Sequence, residues 1–192
     1  MTGSALRSHL QQKATNAGGA TPWLTASWQN CPVSTHDITL QFAEQGDAAM
    51  LASMSRDLIE AGLGWRYRAQ SVRQLIDDPE TVTLVARAGE SLAGFGIMKF
   101  GDERAHLVLL AVLPAYQRRG IARRVIHWFV ESAATAGVAS IHVELRALNT
   151  GAYAFYRAIG FAETLRLPGY YSGRETAIRM LRMLRAPAGA VR

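Results

Sequence analysis

The 192-residue chain has one cysteine, Cys31, and two lysines, Lys13 and Lys99. A lone cysteine cannot close a disulfide within the chain, which fits a reducing compartment. No stretch reaches the roughly 18–20 apolar residues that a membrane-spanning helix needs. The most apolar run, Leu107 to Pro114, has the length of a strand. The first residues lack the continuous apolar core of a secretory signal. These absences argue against a membrane partner and make the cytoplasm the expected compartment. Two nucleotide signatures are missing as well: no Gly-Lys-Ser/Thr phosphate loop and no Gly-x-Gly-x-x-Gly. The five histidines show no ligand spacing, and none recurs at i, i+4, so no metal site is expected.

What is present is an ordinary globular composition, 49% hydrophobic and 19% charged, in a length that suits one domain. The net charge of +6 comes mainly from arginine and favours an anionic partner. There is no long basic run and no extended interleaving of aromatic with basic residues, so nucleic acid is not the expected partner. The charge does cluster locally, at Arg118, Arg119, Arg123 and Arg124 around Gly120. That density suits a compact polyanion.

Residues 1–36 are rich in Ser, Thr, Ala, Gly and Gln without a sustained period and read as a flexible arm, which Trp23 and Trp28 could dock onto the body. Residues 186–192 read as a tail, leaving 37–185 as the single folded domain. Within it, Ile38 to Phe42 reads as a strand. Asp47 to Glu60 reads as a helix with Met50, Leu51, Met54 and Leu58 on one face. Gly62-Leu63-Gly64 breaks it, and Val72 to Ile76 suggests a short second helix. Thr81 to Arg87 and Ser91 to Phe100 read as a hairpin, followed by a strand from Arg104 to Val112.

Gly120 to Ala136 is helical, with Ala122, Val125, Ile126, Phe129 and Ala133 at core spacing. Ala139 to Arg146 alternates: Ile141, Val143 and Leu145 point one way, His142, Glu144 and Arg146 the other. Thr150 to Ile159 is a helix carrying the stripe Ala152, Phe155, Tyr156 and Ile159. Phe161 to Arg166 and Ala177 to Leu184 close the chain as strands, with Tyr170 and Tyr171 in the loop between them. The pattern is that of a mixed α/β domain with helices packed on one sheet.

The segment from Val112 through Gln117-Arg118-Arg119-Gly120-Ile121-Ala122 joins a strand to a helix. A helix N-terminus offers unpaired N–H groups and partial positive charge, which together make an anion site. Gly120 allows close backbone approach, and the arginines add charge-assisted hydrogen bonds. This stretch resembles the Gln/Arg-x-x-Gly-x-Gly/Ala signature of the GNAT superfamily of acetyltransferases, departing from its commoner form by Ala122 in place of glycine. The run Glu144-Leu145-Arg146-Ala147-Leu148-Asn149, the ending Tyr156-Arg157-Ala158-Ile159-Gly160-Phe161 and the later Tyr170-Tyr171-Ser172-Gly173-Arg174-Glu175 resemble, more narrowly, the ribosomal-protein alanine N-acetyltransferases. The wider resemblance covers about residues 38–184, the narrower one mainly 107–180.

The resemblance implies a single α/β domain with a mixed, mostly antiparallel sheet flanked by helices and splayed between its fourth and fifth strands. It implies acetyl-CoA as cosubstrate. Leu110, Ala111 and Val112 would supply strand backbone to the pantetheine arm, and Arg118, Arg119, Gly120, Ile121, Ala122 and Arg123 would surround the pyrophosphate. Asn149 takes the place of a further coenzyme A contact. Glu144 takes the place of the general base, directly or through a water, and Tyr156 that of the general acid. Trp65, Tyr170 and Tyr171 would border the acceptor.

These residue types suit the chemistry. Acetyl transfer needs a neutral amine, a polarised thioester carbonyl and a protonated leaving thiolate. An α-amino group is roughly 10–20% neutral at pH 7, a lysine amine about 0.04%. A glutamate can accept a proton and a tyrosine can donate one to a departing thiolate, while the backbone N–H of Val112 could hold the carbonyl oxygen. Each residue also has a structural use: Glu144 in charge balance with His142 and Arg146, Tyr156 in the core, Asn149 as a helix cap. The acceptor stays open between a protein α-amine and a small-molecule amine such as a polyamine, amino acid or antibiotic. A non-catalytic acyl-CoA-binding module is the second alternative. The chain is expected to act as a monomer or homodimer.

Overall fold

The computed structural model describes residues 38–185. The proposed arm over 1–36 and tail over 186–192, with Trp23, Trp28 and Cys31, lie outside the described residues. Strand β1 (Ile38–Phe42) leads through a short 3-10 turn into helices α1 (Ala48–Leu58) and α2 (Ala69–Asp77). The hairpin β2 (Thr81–Ala88) and β3 (Ser91–Phe100) follows, then β4 (Arg104–Val112), helix α3 (Ile121–Thr135) and β5 (Ser140–Arg146). Helix α4 (Thr150–Ala158) precedes the closing pair β6 (Ala162–Tyr171) and β7 (Glu175–Met183). The seven strands lie in the order β1-β2-β3-β4-β5-β7-β6. Every neighbouring pair is antiparallel except β4 and β5, which the α3 crossover makes parallel.

That one parallel pairing is short. It runs from Arg104 opposite Ser140 to Leu107 opposite Val143 and stops, although β4 continues to Val112 and β5 to Arg146. The expected splay between the fourth and fifth strands is therefore present, and its cause lies on the other side of β4. In the β3–β4 ladder Ile97 faces Leu109 while Met98 faces Leu107, leaving Val108 as an extra residue. A bulge of this kind bends its strand and reverses which side chains face which side. Ala105 and Leu107 accordingly pack with α3, whereas Leu109 and Ala111 pack on the opposite face with α1 and α2.

Two cores result, one on each face of the sheet. Under α3 and α4 lie Val125, Ile126, Phe129, Ile141, Val143, Leu145, Tyr156, Phe161 and Met180. The alternation read in β5 is thus the alternation observed. Gly96 lets α3 sit close to the sheet, since a Cβ there would come within 2.6 Å of Val125 Cγ1 and 2.8 Å of Phe129 Cε2. On the other face Leu51, Ala52, Met54, Val72 and Ile76 cover Val85, Phe95 and Ile97.

Two sequence expectations need correction. Met50 is 58% exposed, because α1 turns Ala48, Leu51, Ala52, Met54 and Ser55 inward instead. Tyr170 and Tyr171 are not in a loop: β6 runs through both, with Tyr171 paired to Glu175. Pro168 lies within β6, which is the sheet edge, where proline is tolerated. The register shift between Leu167 and Tyr171 takes up the irregularity, with Gly169 at φ +68°.

Candidate active site

The divergence of β4 from β5 leaves one edge of β4 past Leu107 without a strand partner. Along that edge Leu110 is half-buried against the α3 core, Ala111 is buried beneath α1 and α2, and Val112 packs beside Ile121 and Tyr116. These are the three residues expected to offer backbone to a pantetheine arm, and a strand edge with unused N–H and C=O groups is what such an arm requires.

The opening leads to the N-terminus of α3. Gly120 caps that helix at φ +78°, ψ 1°, a left-handed conformation natural to glycine. Nothing lies within 4 Å of a Cβ built at Gly120. The glycine is thus called for by the backbone conformation, which Arg118 shares at φ 63°. Arg118, Arg119, Gly120 and Arg123 are exposed around the helix end, with Ala122 half-buried beside them. The Arg119 guanidinium lies over the Tyr116 ring at 5.5 Å. Ile121 is 2% exposed and anchors the loop, leaving only its backbone for a ligand. Arg124 leaves the cluster: its Nη1 donates to the Ile38 carbonyl at 2.9 Å, and burial lowers its pKa. The residues present therefore fit a pyrophosphate: free helix N–H groups, a left-handed turn and three exposed guanidinium groups.

On the other wall, Glu144 is the first β5 residue past the last β4–β5 pair. Its side chain is 8% exposed, and both of its oxygens are engaged. Arg179 Nε on β7 donates to Oε1 at 2.7 Å, and His106 Nε2 on β4 lies 2.7 Å from Oε2. The His106 hydrogen bond, reinforced by Arg179 against the opposing effect of burial, draws the carboxyl down to about 2. Such a carboxylate stays ionised throughout the physiological range and is a weak proton acceptor. His106 also stacks on His142, ring centroids 4.6 Å apart and planes 7° from parallel. Burial, and then the neighbouring His106, lowers the His142 imidazole.

Sequence spacing did not reveal this cluster, because parallel pairing of distant strands creates it: His106 and His142 are register partners. Ligand atoms of His106, His142 and Glu144 lie within 4.8 Å of one another. Imidazole lone pairs lie in the ring plane, however, and those of two stacked, near-parallel rings do not converge on one ion. One Glu144 oxygen is already committed to His106. The arrangement suits a charge-and-proton network better than a metal.

Tyr156 sits in α4, 6% exposed, edge-on to Phe155 at 5.2 Å and Phe161 at 5.4 Å. Burial, with a contribution from Tyr171, pushes its hydroxyl well above the usual tyrosine value, so it keeps its proton at every working pH. Tyr171 is itself pushed up to about 12 by burial, with Tyr170 and Glu144 adding to the effect. It stands edge-on to Tyr170 at 5.1 Å. Asn149 caps α4, its Oδ1 accepting from Ala152 N at 2.9 Å.

Trp65, expected at the acceptor, fastens its own loop. Its Nε1 donates to Tyr67 O at 3.1 Å, and Arg56 and Arg68 lie over its ring at 5.3 and 5.7 Å. The buried Glu60 carboxylate does the rest, accepting from Arg66 N at 2.7 Å, Tyr67 N at 3.3 Å and Ser55 Oγ at 3.0 Å. The aromatic this loop presents near Glu144 and Tyr170 is Tyr67, whose pKa is raised chiefly by burial and further by both neighbours. His106 and Arg179 engage Glu144, and Glu60 holds the loop that carries Tyr67; the sequence singled out none of the four.

Residues 51–161 match the model of the acetyltransferase (GNAT) family. The bS18-alanine N-acetyltransferase of Salmonella typhimurium is 34% identical over 102 residues, 52% of this chain and 69% of that enzyme. The match to its Escherichia coli counterpart spans 62% of that enzyme's length. The N-alpha-acetyltransferase RimI of Mycobacterium tuberculosis is 31% identical over 71% of this chain and 86% of its own. Among solved structures, the Escherichia coli ribosomal-protein-S18-alanine N-acetyltransferase superposes with a TM-score of 0.67 at 25% identity, covering 81% of this chain and 99% of the other.

Proposed function

The chain belongs to the GNAT acetyltransferase family, and on that premise we propose that it moves an acetyl group from acetyl-CoA to a primary amine, the acceptor being a protein N-terminal α-amine. The observation that carries this reading is the V between β4 and β5, which ends at the Gly120 helix cap on one side and at Glu144 on the other. A bound thioester would supply the activated acetyl group. Val112 backbone would hold its carbonyl oxygen, and Arg118, Arg119, Arg123 and the α3 N-terminus its phosphates.

Tyr156 gives a proton to the departing thiolate, and the amine proton passes into the cluster centred on Glu144. Tyr67, Tyr170 and Tyr171 border the acceptor. Asn149, while capping α4, adds a coenzyme A contact. An α-amine is favoured over a lysine because roughly 10–20% of it is neutral at pH 7, against about 0.04% of a lysine amine. The relatives named for ribosomal-protein alanine and N-α acetylation point the same way, and an acceptor of that kind is met in the cytoplasm.

The test is free-thiol release from acetyl-CoA, run in parallel with N-terminal peptides, polyamines and aminoglycosides. Release with peptides supports the proposal. Release with small amines alone moves the acceptor to that class. Acetyl-CoA binding without release in any arm makes the domain a non-catalytic acyl-CoA-binding module.

A further inference from the structure

We infer that the amine proton is taken by Nδ1 of His106, with Glu144 acting as the positioning residue that orients the imidazole and balances its charge. This deepens the acetyl-transfer reading and rests on it.

The geometry assigns the roles. Glu144 already spends one oxygen on Arg179 and the other on His106. An ionised carboxylate can only accept, so the 2.7 Å contact fixes the hydrogen on Nε2 of His106. A neutral His106 ring then carries its lone pair on Nδ1. The carboxylate does for this ring what a buried acid does for any catalytic histidine: it selects the tautomer and stabilises the imidazolium. His106 is the last β4 residue but one to pair with β5, so it stands at the apex of the V, with its side chain 39% exposed.

Basicity separates the two candidates. A carboxyl held at about 2 falls roughly 10⁶-fold short of an α-ammonium near 8 and has both oxygens engaged, whereas the neutral imidazole keeps a ring nitrogen with a free lone pair. The balance of the step is then simple. The amine nitrogen bonds to the thioester carbonyl carbon and its N–H proton passes to His106 Nδ1. The C–S bond breaks and the sulfur takes the hydroxyl proton of Tyr156. Imidazolium and tyrosinate return to rest by exchanging one proton through solvent.

The ionisable groups around His106 and its partners His142 and Glu144 are Arg104 on its own strand, Lys99 on β3 with its partners Asp78 and Glu80, Arg179 on β7, and Tyr67 from the α1–α2 loop. His142 is a stacking partner and keeps its ring parallel to His106, which leaves the edge bearing Nδ1 uncovered by the stack.

The test uses the full chain. His106→Gln keeps an amide that can still donate to Glu144, so the fold and acetyl-CoA affinity by calorimetry should change less than about twofold. Turnover should fall by at least about 100-fold. The dependence of kcat on pH should change shape with the loss of the imidazole. His106→Ala should regain turnover several-fold when free imidazole is added. Independently of activity, ¹⁵N NMR of the wild-type imidazoles should show neutral His106 protonated on Nε2. Thiol release by the wild type tests the acetyl-transfer reading alone. If the wild type turns over while His106→Gln is unimpaired, or if neutral His106 carries its proton on Nδ1, the assignment is overturned and that reading stands.

Discussion

Arg146 on β5 grips Glu175 on β7 with two parallel contacts, Nε to Oε2 at 2.7 Å and Nη2 to Oε1 at 2.5 Å. Its remaining arm, Nη1, donates to the Ala61 carbonyl at 2.7 Å. One guanidinium therefore ties the loop between α1 and α2, which carries Tyr67, to the C-terminal half that carries Tyr170 and Tyr171. The planar fork is what makes three simultaneous contacts possible.

Arg146→Lys keeps the charge and loses the fork, so it cannot hold Glu175 and Ala61 together. The expected outcome is a rise of about fivefold to tenfold in KM for the amine, the equivalent of part of one charge-assisted hydrogen bond. Acetyl-CoA affinity should change less than twofold, because the Arg146 guanidinium contacts Glu175 and Ala61, neither of which belongs to the Gly120 loop. Initial rates at varied amine, paired with calorimetry of acetyl-CoA binding, separate the two. Equal loss on both axes would mean that the loop does not belong to the acceptor side.

Gly120→Asp places an L side chain at φ +78° and adds a negative charge at the helix end. A left-handed non-glycine residue costs about 1–2 kcal/mol, a few degrees in Tm for a domain of this size. Repulsion of the pyrophosphate adds to that, so calorimetry should show acetyl-CoA affinity falling by at least tenfold while the chain remains folded. Unchanged affinity would remove the loop from the coenzyme A site.

Tyr156→Phe removes the hydroxyl and keeps the ring that packs on Phe155 and Phe161. Turnover should drop by roughly 100-fold or more, the usual size of a lost general acid, with acetyl-CoA affinity within twofold of wild type. A mutant that turns over at the wild-type rate would leave Tyr156 as a core residue only.

Much of this architecture is legible in the sequence because local rules govern it. The β5 alternation, the α3 stripe and the strand-to-helix loop at Gly120 follow from side-chain period and backbone conformation. What the sequence concealed depends on pairing across distance. The splay arises from Val108, an unremarkable residue whose bulge shows only in the register with β3. The His106–Glu144–Arg179 network joins three strands separated by 38 and 35 residues in the chain. The loop-fastening contact of Trp65 was also hidden, because it depends on where the Tyr67 backbone carbonyl falls once the loop is folded. The end of β6 was not legible either, since no local signal distinguishes an edge strand, where Pro168 is tolerated, from a loop.

The Glu144 network also makes stability depend on pH in a defined direction. The folded carboxyl, at about 2, lies below its ordinary value of 4.5. Its ionised form is therefore the stabilised one, and the contribution is complete above pH 4.5 and is lost as pH falls towards 2. The size is on the order of 3 kcal/mol at neutral pH, with about 2 kcal/mol gone by pH 3. Because the side chain is only 8% exposed, solvent screening removes little of it. Other acids with lowered values, such as Asp78 and Glu175, also weaken the fold on acidification, but they do so equally in wild type and in Glu144→Gln. Urea unfolding of both proteins at several pH values between 3 and 7 should give stability curves that converge by one to a few kcal/mol on the acid side. Parallel curves would mean that Glu144 is not held as an anion by His106 and Arg179, and the proton-accepting role of His106 would lose its support with it.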